Sequence, residues 1–182
     1  NITSYEDINR QISRIEYRDS SENYLAVVAK IQENSGYDWN VAVRYWEMKR
    51  GLHEQDEVSV GLMKERIGQM DNIDQKDVNL KEIARELYAQ IEQMDSSKRA
   101  LVMPQIVAVD AIRIFNQIGK FATADVLGCT YESMPDSWAL AKELETWFYF
   151  YKRVYRSISE ESELRYIQEL VCWYGDYLRQ IK

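Results

Sequence analysis

The residues that could carry chemistry in this chain are few, and their spacing supports little of it. There is one histidine, His53, beside Glu54, Asp56 and Glu57. A metal or an acid–base pair needs groups converging from several elements. The chain has neither Glu-x-x-His nor His-Glu-x-x-His, so His53 reads as an exposed histidine at a helix end. Neither glycine-rich phosphate loop occurs, and no G-x-S-x-G nucleophile elbow. The carboxylate pairs Glu82 with Glu86 and Glu143 with Glu145 read as solvated helix faces. Asp56-Glu57 and Glu160-Glu161 read as helix starts. Asp110 stands apart, because it lies in a largely apolar helical stretch. Its simplest role there is structural, with a tyrosine hydroxyl or an arginine of a neighbouring helix as partner.

Cys129 and Cys172 fall in different elements without metal-ligand spacing. Buried free thiols are the expectation, and a disulfide is the alternative. Lys152, Arg153 and Arg156, interleaved with Tyr151 and Tyr155, have the residue types of a nucleic-acid contact. They also end a helix, where the dipole favours cations and Glu160 or Glu161 is within reach. The second reading suits the whole chain better. With a net charge of −7 and a pI near 4.9, it disfavours phosphate backbones and anionic membranes. No catalytic residue, cofactor ligand or metal ligand is assigned from these patterns.

The elements that must position such residues read as helices. The 182 residues are 46% apolar with only 7 Gly and 2 Pro, which favours long helices and few turns. No apolar run approaches the ~20 residues of a membrane span, and no signal-peptide pattern opens the chain. A cytoplasmic setting is the expectation. The first residue is Asn1, not Met, which suggests a processed chain or a piece of a longer one.

Thr3 and Glu6 fit a capping box, and Ile8, Ile12 and Ile15 predict a helix over Ser4–Tyr17. A second helix runs to about Asn34, and a third from Asp38 through Lys49 to Gly51. Between Leu52 and Gln75 the signal weakens, with Gly61 and Gly68 inside a weak helix. Leu80, Ile83, Leu87, Ile91 and Met94 then mark a clear amphipathic helix. The next spans Ser97–Phe121 with Pro104 inside, so it either begins just before the proline or kinks there. Its wide apolar face (Ile106, Val107, Val109, Ile112, Ile114, Phe115, Ile118) makes it central. The residues from Ala122 to Met134 read as a short helical tail and a loop. The sum is an all-α, compact bundle of about eight helices with short loops, as one domain over residues 1–182.

Half of the aromatic residues lie between Pro135 and Lys182. After the Asp136 cap, Trp138, Ala141, Leu144, Phe148, Tyr151 and Tyr155 share one stripe. Five consecutive aromatics, Trp147 to Tyr151, turn through more than a full circle, and a helix apolar all round must be covered all round. It is either the buried centre of the domain or partly an interface. Trp147, Tyr149, Phe150 and Tyr151, with Trp173 on the final helix, are the candidate interface. The final helix carries a one-sided seam of Leu164, Ile167, Val171, Tyr174, Leu178 and Ile181, with Gly175 placed for a close backbone approach.

The segments Glu143-Leu-Glu-x-Trp147, Tyr151-Lys-Arg-Val-Tyr155-Arg, Ser157-x-Ser-x-Glu-Ser-Glu-Leu164 and Trp173-Tyr-Gly-Asp-Tyr-Leu-Arg179 form a wider pattern. It resembles the helical C-terminal region that follows the barrel in some bacterial family 20 glycoside hydrolases. The resemblance covers mainly residues 136–182. Those enzymes are exo-acting β-N-acetylhexosaminidases, whose active site is an adjacent Asp-Glu pair at a barrel strand end. This chain predicts no barrel strands, so Asp56-Glu57 does not inherit that role. The resemblance implies a non-catalytic accessory domain that packs on a catalytic module or joins a second copy of itself. The alternatives are an independent helical interaction module, and a stand-alone enzyme using carboxylates gathered in a deep pocket.

Overall fold

The computed structural model describes residues 24–35, 39–51, 57–68, 70–155 and 161–181. These hold seven helices and no strand: α1 Tyr24–Glu33, α2 Trp39–Lys49, α3 Glu57–Gly68, α4 Ile73–Ile91, α5 Ser96–Leu127, α6 Ser137–Tyr155 and α7 Glu161–Gln180. The all-α expectation holds, with seven helices where about eight were expected. The helix predicted over Ser4–Tyr17 lies outside the described residues, as do His53 and Asp56.

Helix ends follow local chemistry. The Asp95 carboxylate caps α5, accepting from the Lys98 backbone N–H at 2.9 Å and the Ser97 hydroxyl at 2.8 Å. Asp136 caps α6 in the same way, accepting from the Ala139 N–H at 2.8 Å. Gly128 ends α5 at φ 68°, with its N–H on the Ala124 carbonyl. Pro104 neither starts nor interrupts α5, which begins eight residues earlier at Ser96. Its missing N–H leaves the Ala100 carbonyl without its helical donor, and Ala100 is exposed, so water can serve that oxygen.

α5 is the centre. Its Val102, Ile106 and Val109 join α1 and α4 in one apolar cluster with Val27, Ile31, Leu80, Ile83 and Leu87. Its Val107, Ile114, Phe115, Ile118 and Phe121 join a larger cluster with α2, α3, α6 and α7. A helix shared by two clusters must be apolar on two sides, which explains its wide hydrophobic face. By length and composition α5 is also the one described helix able to cross a membrane, and half of its most apolar stretch is buried inside the fold.

Neighbouring helices run antiparallel. Asp74 and Tyr88 of α4 meet Lys120 and Asp110 of α5. Val107 and Arg113 of α5 meet Trp147 and Glu143 of α6. Glu145 of α6 meets Arg179 of α7. Lys120 is buried, and its ammonium donates to Asp74 at 2.6 Å and to the Ser133 carbonyl at 2.8 Å. One cation so fastens the loop after α5 to the start of α4. Removing the acid would strand a buried charge, which is the costly way to break such a pair.

Candidate functional site

The aromatic run divides between core and surface. Trp147 is 8% exposed, and its indole N–H donates to the Val107 carbonyl at 3.0 Å. Phe148 is buried beside it. Tyr151 is half-buried, its ring 5.3 Å from Trp147 and 4.7 Å from Tyr155. Trp173 is half-buried and stacks on Tyr177 at 5.2 Å. Tyr149, at 61% exposure, and Phe150, at 38%, are the exposed members of the run. Trp138, placed by periodicity on the buried stripe, is 61% exposed. It occupies the first turn of α6, with the Arg179 guanidinium 5.8 Å from its ring. The stripe that is buried instead runs through Leu140, Ala141, Leu144, Trp147 and Phe148.

Phe150 borders a groove between α4, α5 and α6 of about 480 Å³. Ile106, Val107, Ile114 and Trp147 make it apolar, and Tyr88, Phe150, Lys142 and Thr146 also line it. Two carboxylates enter. Glu143 accepts from Arg113 across the α5–α6 contact. Asp110 accepts from the Tyr88 hydroxyl at 3.4 Å, and burial pushes its carboxyl above the ordinary aspartate range, against the pull of Arg113 and Tyr88. The tyrosine partner is the kind the sequence called for. Both acids are thus tied to structural partners, and Glu143 and Glu145 form interhelical ion pairs where solvated faces were expected. Among the described residues no three His, Cys, Asp or Glu side chains come together to hold a metal.

A second, shallower hollow of about 510 Å³ lies on the other flank of Trp147, lined by Ala111, Tyr151, Tyr166 and Ile167. Farther along α5 and α7, Tyr45, Tyr177, Asp125 and Lys49 join these two helices to α2. The Tyr45 hydroxyl donates to Asp125 at 2.7 Å and lies 3.0 Å from the Tyr177 oxygen, and Lys49 reaches Asp125 at 3.1 Å. Burial, then the bonds to Tyr177 and Asp125, hold the Tyr45 phenol far above its usual range. That phenol stays protonated, which makes it a fastening and not a base.

Three further expectations change. Cys129 and Cys172 are free, but both are exposed and not buried. Cys129 follows the helix-ending Gly128, and Cys172 lies between Glu169 and Asp176 on the wet side of α7. Gly175 admits a side-chain ion pair and not a backbone: a Cβ there would sit 3.0 Å from Glu145 Oε1 and 3.3 Å from Arg179 Nη1. In the basic cluster, the Lys152 ammonium lies 5.0 Å from the Phe148 ring centre and 6.0 Å from that of Tyr149, while Glu161 pairs with Arg165. Arg156 and Glu160 lie outside the described residues. Sequence reasoning missed Tyr88, Arg113 and Trp138 as surface and groove residues, since each depends on where a neighbouring helix ends or crosses.

No family model, curated protein or solved structure matches the chain.

Proposed function

We propose that the chain is a non-catalytic helical accessory domain of a glycoside hydrolase of the exo-β-N-acetylhexosaminidase type, packing on that enzyme's catalytic module. One observation carries the docking part of this reading. α6 keeps Tyr149 and Phe150 at the surface, and Phe150 borders an apolar groove whose two carboxylates are already paired. Exposed rings beside such a groove are the usual means of seating another protein. The enzyme class rests on the resemblance over residues 136–182. A cytoplasmic setting belongs to the proposal, and two exposed free thiols suit a reducing compartment.

The test joins genetics to binding. The coding sequence directly upstream should encode a barrel with an adjacent Asp-Glu pair. The separately expressed module should bind the 182-residue chain in calorimetry, and Phe150→Ala with Tyr88→Ala should weaken that binding about tenfold or more. An upstream region without a glycosidase favours the independent interaction module. Turnover of a chromogenic N-acetylglucosaminide by the chain alone overturns the non-catalytic reading.

A further inference from the structure

We infer that the outer face of the α6–α7 hairpin pairs with the same face of a second copy of this chain, α6 of each lying over α7 of the other. This rests on the preceding reading only in taking the chain for a docking domain. It uses the outer face of the hairpin, which meets the groove at Lys142.

The argument begins with charge. On the solvent side of α6, Lys142 and Arg153 are exposed, with Lys152 half-buried beside them. On the solvent side of α7, Glu169 and Asp176 are exposed. The other charges of this face are matched internally, Glu145 with Arg179 and Glu161 with Arg165. What remains is a cationic helix beside an acidic one. Among the described residues Lys142, Arg153 and Glu169 take part in no ion pair. Asp176 makes no ion pair there either, its neighbour Arg179 being held by Glu145.

Register then selects one arrangement. Glu145 lies against both Gly175 and Arg179, so residues 145 and 177 share a level along the hairpin. Both helices rise ~1.5 Å per residue and run antiparallel. Eight residues along α6 and eight back along α7, Arg153 is therefore level with Glu169. Two hairpins can stack face to face about a two-fold axis in two ways. An axis across the helices sets α6 on α6 and α7 on α7, so cations meet cations and acids meet acids. An axis along the helices sets α6 over α7 of the other copy at the same level. Arg153 then meets Glu169, Lys142 falls within about one turn of Asp176, and each pairing occurs twice. Tyr149 arrives over the turn that holds Cys172, where an exposed ring and an apolar thiol leave water together.

The face is large enough. Helices of 19 and 20 residues are ~30 Å long, and a pair is ~20 Å wide, a flat footprint of ~600 Å². Side-chain relief raises the accessible area toward the ~800 Å² that each partner gives to a specific interface. Trp138 and Tyr149 supply aromatic anchors on it.

Sedimentation equilibrium of the 182-residue chain across micromolar concentrations tests the proposal. The native chain should dimerise, and added salt should weaken it. Arg153→Glu and Glu169→Arg, each on an exposed site and checked for an unchanged melting temperature, should each raise the dimer dissociation constant about tenfold or more, because each acts at two places in the dimer. The double variant carrying both reversals should recover native association. A monomer at every concentration overturns the inference. So does a dimer indifferent to these substitutions, or a double variant no better than the singles. Those failures leave the accessory-domain reading untouched, since it is decided by the upstream module and the Phe150 and Tyr88 variants.

Discussion

Asp110 is a carboxylate whose surroundings work against its ionised form. Burial raises its carboxyl, with Arg113 and the Tyr88 hydroxyl opposing. A folded-state value above the unfolded one, about 3.9, means that its contribution is fully present in acid and is lost as pH rises through the raised value. Asp110→Asn keeps an acceptor for Tyr88 and removes the penalised charge. We expect the variant to match or exceed native stability at pH 7 by at most about 1 kcal/mol, with the difference shrinking below pH ~4; urea melts at both pH values decide it. Other carboxylates have the opposite sign. The Lys98 backbone N–H holds Asp95 low, and Arg179 holds Glu145 low. Burial pushes Asp125 up, yet Tyr45 and Lys49 outweigh it and leave it low. Their contributions are present above the unfolded values and vanish as pH falls through the depressed ones. The kind of partner for Asp110 was legible in the sequence, because an acid on an apolar helix needs a hydrogen bond. That Tyr88 provides it was not, since α4 and α5 had first to be set in register.

Among the elements, those with chemical punctuation were read well. Asp95 and Asp136 cap the helices that follow them, Gly51 has the positive φ of a helix end, and the Leu80–Ile83–Leu87 face of α4 is buried. α5 runs on through the short helical tail read after Phe121 and stops at Gly128, whose left-handed backbone ends it. Gly128 sits at φ 68° with open space around its Cβ position, so Gly128→Ala should strain only the backbone. A loss of about 1 kcal/mol in urea denaturation is expected, with the native near-UV spectrum retained. Trp138 and Cys172 were misread for different reasons. Periodicity gives the direction of a side chain and not the extent of the core. Trp138 lies in the first turn of α6, before its buried stretch begins at Leu140. Cys172 points away from the Leu170–Val171–Tyr174 side, a placement its neighbours Glu169 and Asp176 already indicated.

For the whole molecule, the decisive feature is that one helix serves two cores. All five tryptophans lie on α2, α6 and α7, and none on α1, α4 or α5. Tryptophan fluorescence therefore reports chiefly on the larger cluster, and far-UV circular dichroism on all helices. Because α5 completes both clusters, the two probes should share one denaturation midpoint; midpoints that separate would show that α1 and α4 melt away from α5 independently. The bundle class was readable from composition and caps, whereas the division into two clusters was not, since it depends on which helices meet α5 on each side. The same arrangement has a mechanical consequence. α7 leans on α6 and α2, whereas α5 is packed by α1 and α4 on one flank and by α2, α3 and α6 on the other. A load drawn through the C-terminus falls first on the α6–α7 hairpin, so the molecule should behave as a hinged flap on a clamped axle, giving way at its aromatic edge while its spine still bears force.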